Sequence, residues 1–220
     1  MPLERELKLT PADPALLDRL EALERLGPFA VVARRRERQR NAFFDTPTQA
    51  LRAAGLALRR RTIAGSQLAA WTLKGEGRTV RGIAARPEVE LRLDPDTPPV
   101  LALAVLGRAA RERQNAALAE QLADALAGSP PPAPGPYLEL ETDRRLLQLE
   151  AAPEGWAAEM ALDRVRMVGR DYAEAEIEVE LWRGGDEALE AARVAITALG
   201  AVQPAIGSKL SRALAHRRGT

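Results

Sequence analysis

The sequence predicts an α+β protein in which charged strands carry the chemistry and amphipathic helices cover their apolar backs. Three observations lead there. Several segments alternate strictly between charged and apolar residues, which is the period of a β-strand. Between them lie Ala- and Leu-rich segments with apolar residues at helical spacing. The polar side of the alternating segments is repeatedly Glu and Arg, not the Thr, Ser and Gln that a solvated face takes freely.

Leu3 to Leu9 reads as the first strand, with Glu4, Glu6 and Lys8 on one face and Leu7 and Leu9 on the other. Pro11 to Leu26 reads as a helix. TPADP is its start signal, Leu16, Leu17, Leu20 and Leu23 recur at helical spacing, and Gly27-Pro28 ends it. RRRERQRNAFFDT is extended. Its run Arg34, Arg35, Arg36, Arg38 and Arg40 suits a solvated strand edge. Pro47 to Gly55 is a short helix with a Gly stop, and Asp45 suits its cap.

LALRRRTIAG and QLAAWTLKGEG are strands of a hairpin turning at Gly65-Ser66. Arg59 and Arg61 oppose Leu58 and Arg60, and Lys74 lies with Thr72 opposite Trp71 and Leu73. RPEVELRL sets Arg86, Glu88, Glu90 and Arg92 against Val89, Leu91 and Leu93. Residues 98 to 127 read as helical, and the Pro-rich GSPPPAPGP reads as a loop. Strand patterns resume in YLELETDRRLLQLE, GWAAEMALDRVRMV and YAEAEIEVELWRG. The last sets Glu176, Glu178 and Glu180 against Ile177, Val179 and Leu181. Parity groups Arg144 with Gln148, with Arg145 as the alternative, and Asp163 with Glu159. Asp186 to Leu199 is an amphipathic helix stopped by Gly200. Lys209 follows in IGSKLSRAL, and residues 211–220 read as a tail holding His216. Trp71, Trp156 and Trp182 read as packing residues.

Composition excludes much. With no Cys there is no disulfide, thiolate metal site or Cys nucleophile, and a single His rules out a His triad or multi-His site. Any metal would be held by carboxylates, which favours Mg²⁺ or Mn²⁺. A net charge of +1 and 4% aromatic residues give neither a basic stripe nor a stacking platform, so no nucleic-acid partner is expected. No signal-peptide pattern and no membrane-length apolar run is present, so a cytoplasmic location away from membranes is expected.

Two geometries accommodate the charged faces: a half-solvated antiparallel sheet, or a closed barrel with a charged lumen and helices outside. A lumen with both signs suits a metal–polyphosphate complex. Arg and Lys match phosphate oxygens and clustered carboxylates match a hard divalent cation.

In order along the chain, ERELK, NAFFDTPTQALRAAGLALRRR, WTLKGEG, RPEVEL, ALDRV, EIEVEL and GSKLSRAL resemble the motifs of the CYTH superfamily, the triphosphate tunnel metalloenzymes. The likeness covers nearly the whole chain. It implies a closed eight-stranded antiparallel β-barrel, a tunnel with a charged lumen surrounded by helices. It implies a single domain over residues 1–220, with 98–136 inserted between the barrel halves. By position, Glu4, Glu6, Glu176 and Glu178 would hold metal. Lys8, Arg59, Arg61, Lys74, Arg86, Arg144 and Lys209 would grip phosphates. Glu88 and Glu90 would bind a second metal or, like Glu180, partner neighbouring bases. Lys8 and Glu176 would steer the attacking water.

Within the superfamily the chain is most similar to the bacterial inorganic triphosphatase branch, here without a CHAD domain. The implied reaction is hydrolysis of inorganic triphosphate to diphosphate and phosphate with Mg²⁺ or Mn²⁺. The alternatives are a class IV-type adenylate cyclase, a nucleoside or thiamine triphosphatase, or, in another class, a non-catalytic polyphosphate-binding module. The outer apolar strand faces admit cover by helices of this chain or by a second copy in a homodimer.

Overall fold

The structure, a computed structural model, describes residues 6–75, 77–80, 83–85, 87–112 and 115–219. In chain order the elements are β1 (Glu6–Pro11), α1 (Leu16–Glu21), β2 (Arg25–Leu26), β3 (Phe29–Phe44), α2 (Ala50–Ala53), β4 (Ala57–Ile63) and β5 (Ala69–Lys74). They continue with β6 (Arg78–Val80), β7 (Ile83–Ala85), β8 (Glu88–Leu93), α3 (Pro99–Glu112), α4 (Ala116–Leu126) and β9 (Leu138–Ala151). The last are β10 (Trp156–Met167), β11 (Ala173–Arg183), α5 (Asp186–Thr197), β12 (Val202–Pro204) and α6 (Lys209–Gly219). The class is α+β, as the alternation and helical spacing predict. No helix among the described residues is long and apolar enough to cross a membrane.

The chain divides into two compact units. The first takes in the described residues of Gln39–Arg78 and Arg86–Glu141, the second those of Glu4–Arg38, Thr79–Ala85 and Thr142–Thr220. In the first, Leu58, Trp71, Leu73 and Val89 from β4, β5 and β8 pack against Leu103, Leu106, Leu118 and Leu122 of α3 and α4. Arg60, on the same face as Leu58, lies over the Phe44 and Trp71 rings. In the second, Leu7, Leu9, Leu147, Leu149, Met160, Leu162, Ile177 and Val179 pack with Leu16, Leu17 and Leu20 of α1 and Leu189, Ala192 and Ile196 of α5. In both units the strands therefore bury one apolar face under helices and turn their charges to the other.

The expected closed eight-stranded barrel is not what the strand pairing gives. The path runs β6-β7-β1-β11-β10-β9-β3-β4-β5-β8, ten strands in an open order, with β12 on β1 and β2 on β3. No pairing among the described residues closes it. The physical reason lies partly at β1. One edge pairs with β11, and the other is taken by β7 at Glu6 and Leu7 and by β12 at Leu9 to Pro11. Three-residue strands such as β6, β7 and β12 are too short to show periodicity.

Other expectations change in detail. The helix expected over Pro11 to Leu26 shrinks to α1, because Leu26 pairs with Phe29 across a tight turn at Gly27. Gly27 has φ +55°, and a Cβ there would lie 2.9 Å from the Ala195 Cβ. Residues 98–127 form two helices, α3 and α4. The tail expected from residue 211 continues α6, where the His216 ring packs against Tyr172 at a tilt of 49° with ring centroids 5.0 Å apart. Trp71 is buried as expected, whereas Trp182 is half exposed. Asp45 does cap: it accepts from the backbone N–H groups of Leu51 at 2.9 Å and Arg52 at 3.0 Å at the start of α2.

Candidate active site

In the second unit, pairing register decides which charges meet. Lys8 lies opposite Glu178 and Glu6 opposite Glu180 across β1 and β11. Asp163 lies opposite Glu176, and Glu159 opposite Glu180, across β10 and β11. Like charges directly opposite destabilise a sheet unless cations stand between them. Here they do. Arg144 of β9 donates to Asp163 Oδ1 from Nε at 2.8 Å, to Oδ2 from Nη2 at 2.6 Å, and to Glu178 Oε2 at 2.6 Å. Lys8 Nζ lies 2.8 Å from Glu6 and 3.3 Å from Glu178. Arg35 reaches Glu159 at 2.9 Å.

The helix α6 supplies two more cations. Lys209 Nζ lies 2.9 Å from both Asp163 and Glu178 and also bonds Glu176, so one ammonium touches three carboxylates. Arg212 bonds the other oxygen of Glu176 and pairs with Glu174. Burial sharpens these interactions, because the side chains of Asp163 and Glu176 are 0% and 1% exposed.

The acids respond differently. For Glu178, burial pushes the pKa up, but Lys209, Lys8 and Arg144 together hold it well below the usual carboxylate range. Asp163 is likewise depressed, Arg144 and Lys209 outweighing its burial. Glu176 moves the other way. Burial raises its pKa and the neighbouring Glu178 charge adds to that, against the pull of Lys209 and Arg212. The Lys209 ammonium is held charged by the same carboxylates in spite of its burial.

Asp163, Glu176 and Glu178 each offer an oxygen, and these oxygens lie within 4.8 Å of one another. Three hard oxygen donors with no sulfur or imidazole suit Mg²⁺ or Mn²⁺. The donor set therefore fits the divalent metal that the motifs imply.

The first unit carries its own charged face. Arg59 lies opposite Thr72 and Thr72 opposite Glu90. Arg59 donates to Thr72 at 3.0 Å and Thr72 to Glu90 at 2.9 Å. Arg61 donates to Asn41 at 3.1 Å, and Lys74 pairs with Glu88, its cross-strand neighbour.

Of the residues singled out from sequence, the second unit brings together Glu6, Lys8, Arg144, Glu176, Glu178 and Lys209. The first unit groups Arg59, Arg61, Lys74, Glu88 and Glu90, with its acids on bases. Glu4 and Arg86 lie outside the described residues. Arg145 points to the helix side, where it donates to Asp18 at 2.6 Å and Glu21 at 2.5 Å. Arg36 and Arg40 are solvent-exposed, as expected, and pair with Asp143 and Glu139. Sequence reasoning missed Arg212 and Glu174. The signal for Arg212 was its position three residues after Lys209, which puts both on one helical face.

Against known families, the CYTH domain model matches residues 2–213. No curated protein matches. Among solved structures, HpAC1 of Hippeastrum, a candidate adenylyl cyclase described as having a dominant triphosphatase activity, is 20% identical with a TM-score of 0.62, covering 94% of this chain and 93% of its own. A candidate adenylate cyclase of Bacillus halodurans is 20% identical with a TM-score of 0.57, covering 96% and 98%. The PH1819 protein of Pyrococcus horikoshii is 17% identical with a TM-score of 0.54, covering 97% and 99%. At these identities the likeness is one of fold.

Proposed function

The chain belongs to the CYTH domain family, and on that premise we propose that it hydrolyses the terminal phosphoanhydride bond of a triphosphate with a divalent metal, inorganic triphosphate being the substrate. The observation that carries this reading is the contact of Lys209 and Arg144 with the Asp163, Glu176 and Glu178 carboxylates. Phosphoryl transfer needs positioning and charge neutralisation more than a covalent side chain, and such a cluster supplies both signs.

Asp163, Glu176 and Glu178 would hold Mg²⁺ or Mn²⁺, with Glu6 beside them through Lys8. When bound, the metal supplies positive charge against the phosphate oxygens. Lys8, Arg144 and Lys209 bind phosphate oxygens, and Arg59, Arg61 and Lys74 are the further phosphate ligands that the motifs imply. Lys8 and Glu176 orient the attacking water. Its oxygen bonds the terminal phosphorus in line, the phosphoanhydride P–O bond breaks, diphosphate leaves, and Glu176 receives the proton.

The dominant triphosphatase activity described for HpAC1 supports hydrolysis over cyclisation. The second reading, adenylate cyclase, draws support from the description of the Bacillus halodurans neighbour. A substrate panel separates them. Inorganic triphosphate, ATP and thiamine triphosphate are compared with Mg²⁺ and with Mn²⁺, measuring phosphate and cyclic AMP. Fastest phosphate release from inorganic triphosphate is expected. Cyclic AMP as the main product from ATP would assign the cyclase instead.

A further inference from the structure

Arg212 is a residue that neither the motifs nor the proposed chemistry assigns a task, yet its guanidinium is fully engaged. Its Nε donates to Glu174 Oε2 at 2.6 Å and its Nη2 to Glu174 Oε1 at 3.1 Å, the planar fork that Arg makes and Lys does not. Nη2 also bonds Glu176 Oε2. Nη1 donates to the Gly207 carbonyl at 3.1 Å. Glu174 is in turn held by the Tyr172 hydroxyl at 2.7 Å.

The start of α6 is built to present this side chain. Ser208 and Ser211 cap each other reciprocally: Ser208 N–H donates to Ser211 Oγ at 2.8 Å and Ser211 N–H to Ser208 Oγ at 3.1 Å. Gly207, at φ +70°, admits the close approach, since a Cβ there would lie 2.4 Å from Ser211 Oγ. The first turn so fixed sets Lys209 and Arg212 on one face, where they take the two oxygens of Glu176 separately.

We propose that Arg212 is a positioning residue: clamped by Glu174, it fixes the Glu176 carboxylate for the metal and docks the start of α6 so that Lys209 faces the same acids. This rests on the metal-dependent reading above. Groups that orient metal ligands act on metal affinity as well as on rate.

The test compares Arg212→Gln, Arg212→Lys, Glu174→Gln and the double Arg212→Gln/Glu174→Gln variant with the wild type. Mn²⁺ affinity is read by electron paramagnetic resonance, and kcat and KM are measured with inorganic triphosphate. Arg212→Gln and Glu174→Gln should each weaken Mn²⁺ binding by about 10- to 100-fold and lower kcat more than they raise KM. Arg212→Lys should not restore either, and the double variant should be no worse than the weaker single, since both remove one clamp. Wild-type Mn²⁺ affinity and kcat in Arg212→Gln overturn the proposal, as do losses that multiply in the double variant. If Arg212→Gln does not fold by circular dichroism, Glu174→Gln decides alone, because it leaves the bond to Gly207 in place. A wild type that binds Mn²⁺ but hydrolyses no triphosphate overturns the functional reading, while Mn²⁺ affinity still decides the role of Arg212. A wild type that binds no Mn²⁺ overturns both.

Discussion

Arg144 and Asp163 form a side-on pair, Nε to Oδ1 at 2.8 Å and Nη2 to Oδ2 at 2.6 Å, with Asp163 fully buried. Removing the cation leaves Lys209 to serve both Asp163 and Glu178, with Lys8 on Glu178 alone, so two largely buried carboxylates lose their bidentate and bridging partner. Arg144→Leu should therefore destabilise the metal-free protein by roughly 3–5 kcal/mol, measured by urea unfolding. A loss below about 1 kcal/mol, the value of an exposed pair, contradicts the buried pairing.

The pH dependence of stability follows from opposite shifts in adjacent acids. Glu178 and Asp163 have depressed pKa values in the folded chain. Their contribution is present above the unfolded carboxylate pKa and is lost as pH falls through the folded values. Glu176 has a raised pKa, so its contribution is present below the unfolded value and is lost as pH rises through the folded one. With chelator present, the melting temperature should fall in strong acid, and Glu178→Gln should flatten that acid limb. Glu176→Gln should instead remove the loss seen as its carboxyl ionises. Identical melting profiles across the three proteins contradict this assignment.

Metal should stabilise as well as activate. Mn²⁺ at 100 times its dissociation constant should add about 2.7 kcal/mol to folding stability, and chelation should reverse it. Calorimetric melts with and without Mn²⁺ check this, and Asp163→Asn should abolish most of the gain. A full gain in that variant would place the metal elsewhere.

Bases of the first unit give a separate signature. Lys74→Ala and Arg59→Ala each remove a cation that the motifs assign to phosphate, worth roughly 1.5–3 kcal/mol per charged hydrogen bond. A loss of about 10- to 150-fold in kcat/KM is expected, with Mn²⁺ affinity unchanged. Full activity in both variants removes the first unit's bases from the phosphate ligands.

Much of the site was legible because strand alternation is a strong, local signal. Parity put Glu6 with Lys8 in β1 and Glu176 with Glu178 in β11, and it favoured Arg144 while leaving Arg145 open, a choice that the helix-facing bonds of Arg145 decide. Asp163 followed from parity too, but its importance came from register, which sets it opposite Glu176. Arg212 was not legible, because a helical side chain's partner depends on how α6 docks. The open strand order was hidden for a related reason. Segments as short as β7 and β12 take the edge of β1 through backbone bonds that carry no side-chain pattern. At Leu26, a two-residue strand overrode the helical spacing of the preceding leucines.

The most direct measurement is phosphate release from inorganic triphosphate by the wild type and by Glu178→Gln, with Mg²⁺, with Mn²⁺ and with chelator. Metal-dependent release of phosphate and diphosphate by the wild type, abolished by chelator, is expected, with a rate lower by about 100-fold or more in the variant. Undiminished turnover in Glu178→Gln, or release that ignores the chelator, contradicts a metal-dependent site built on β10, β11 and α6.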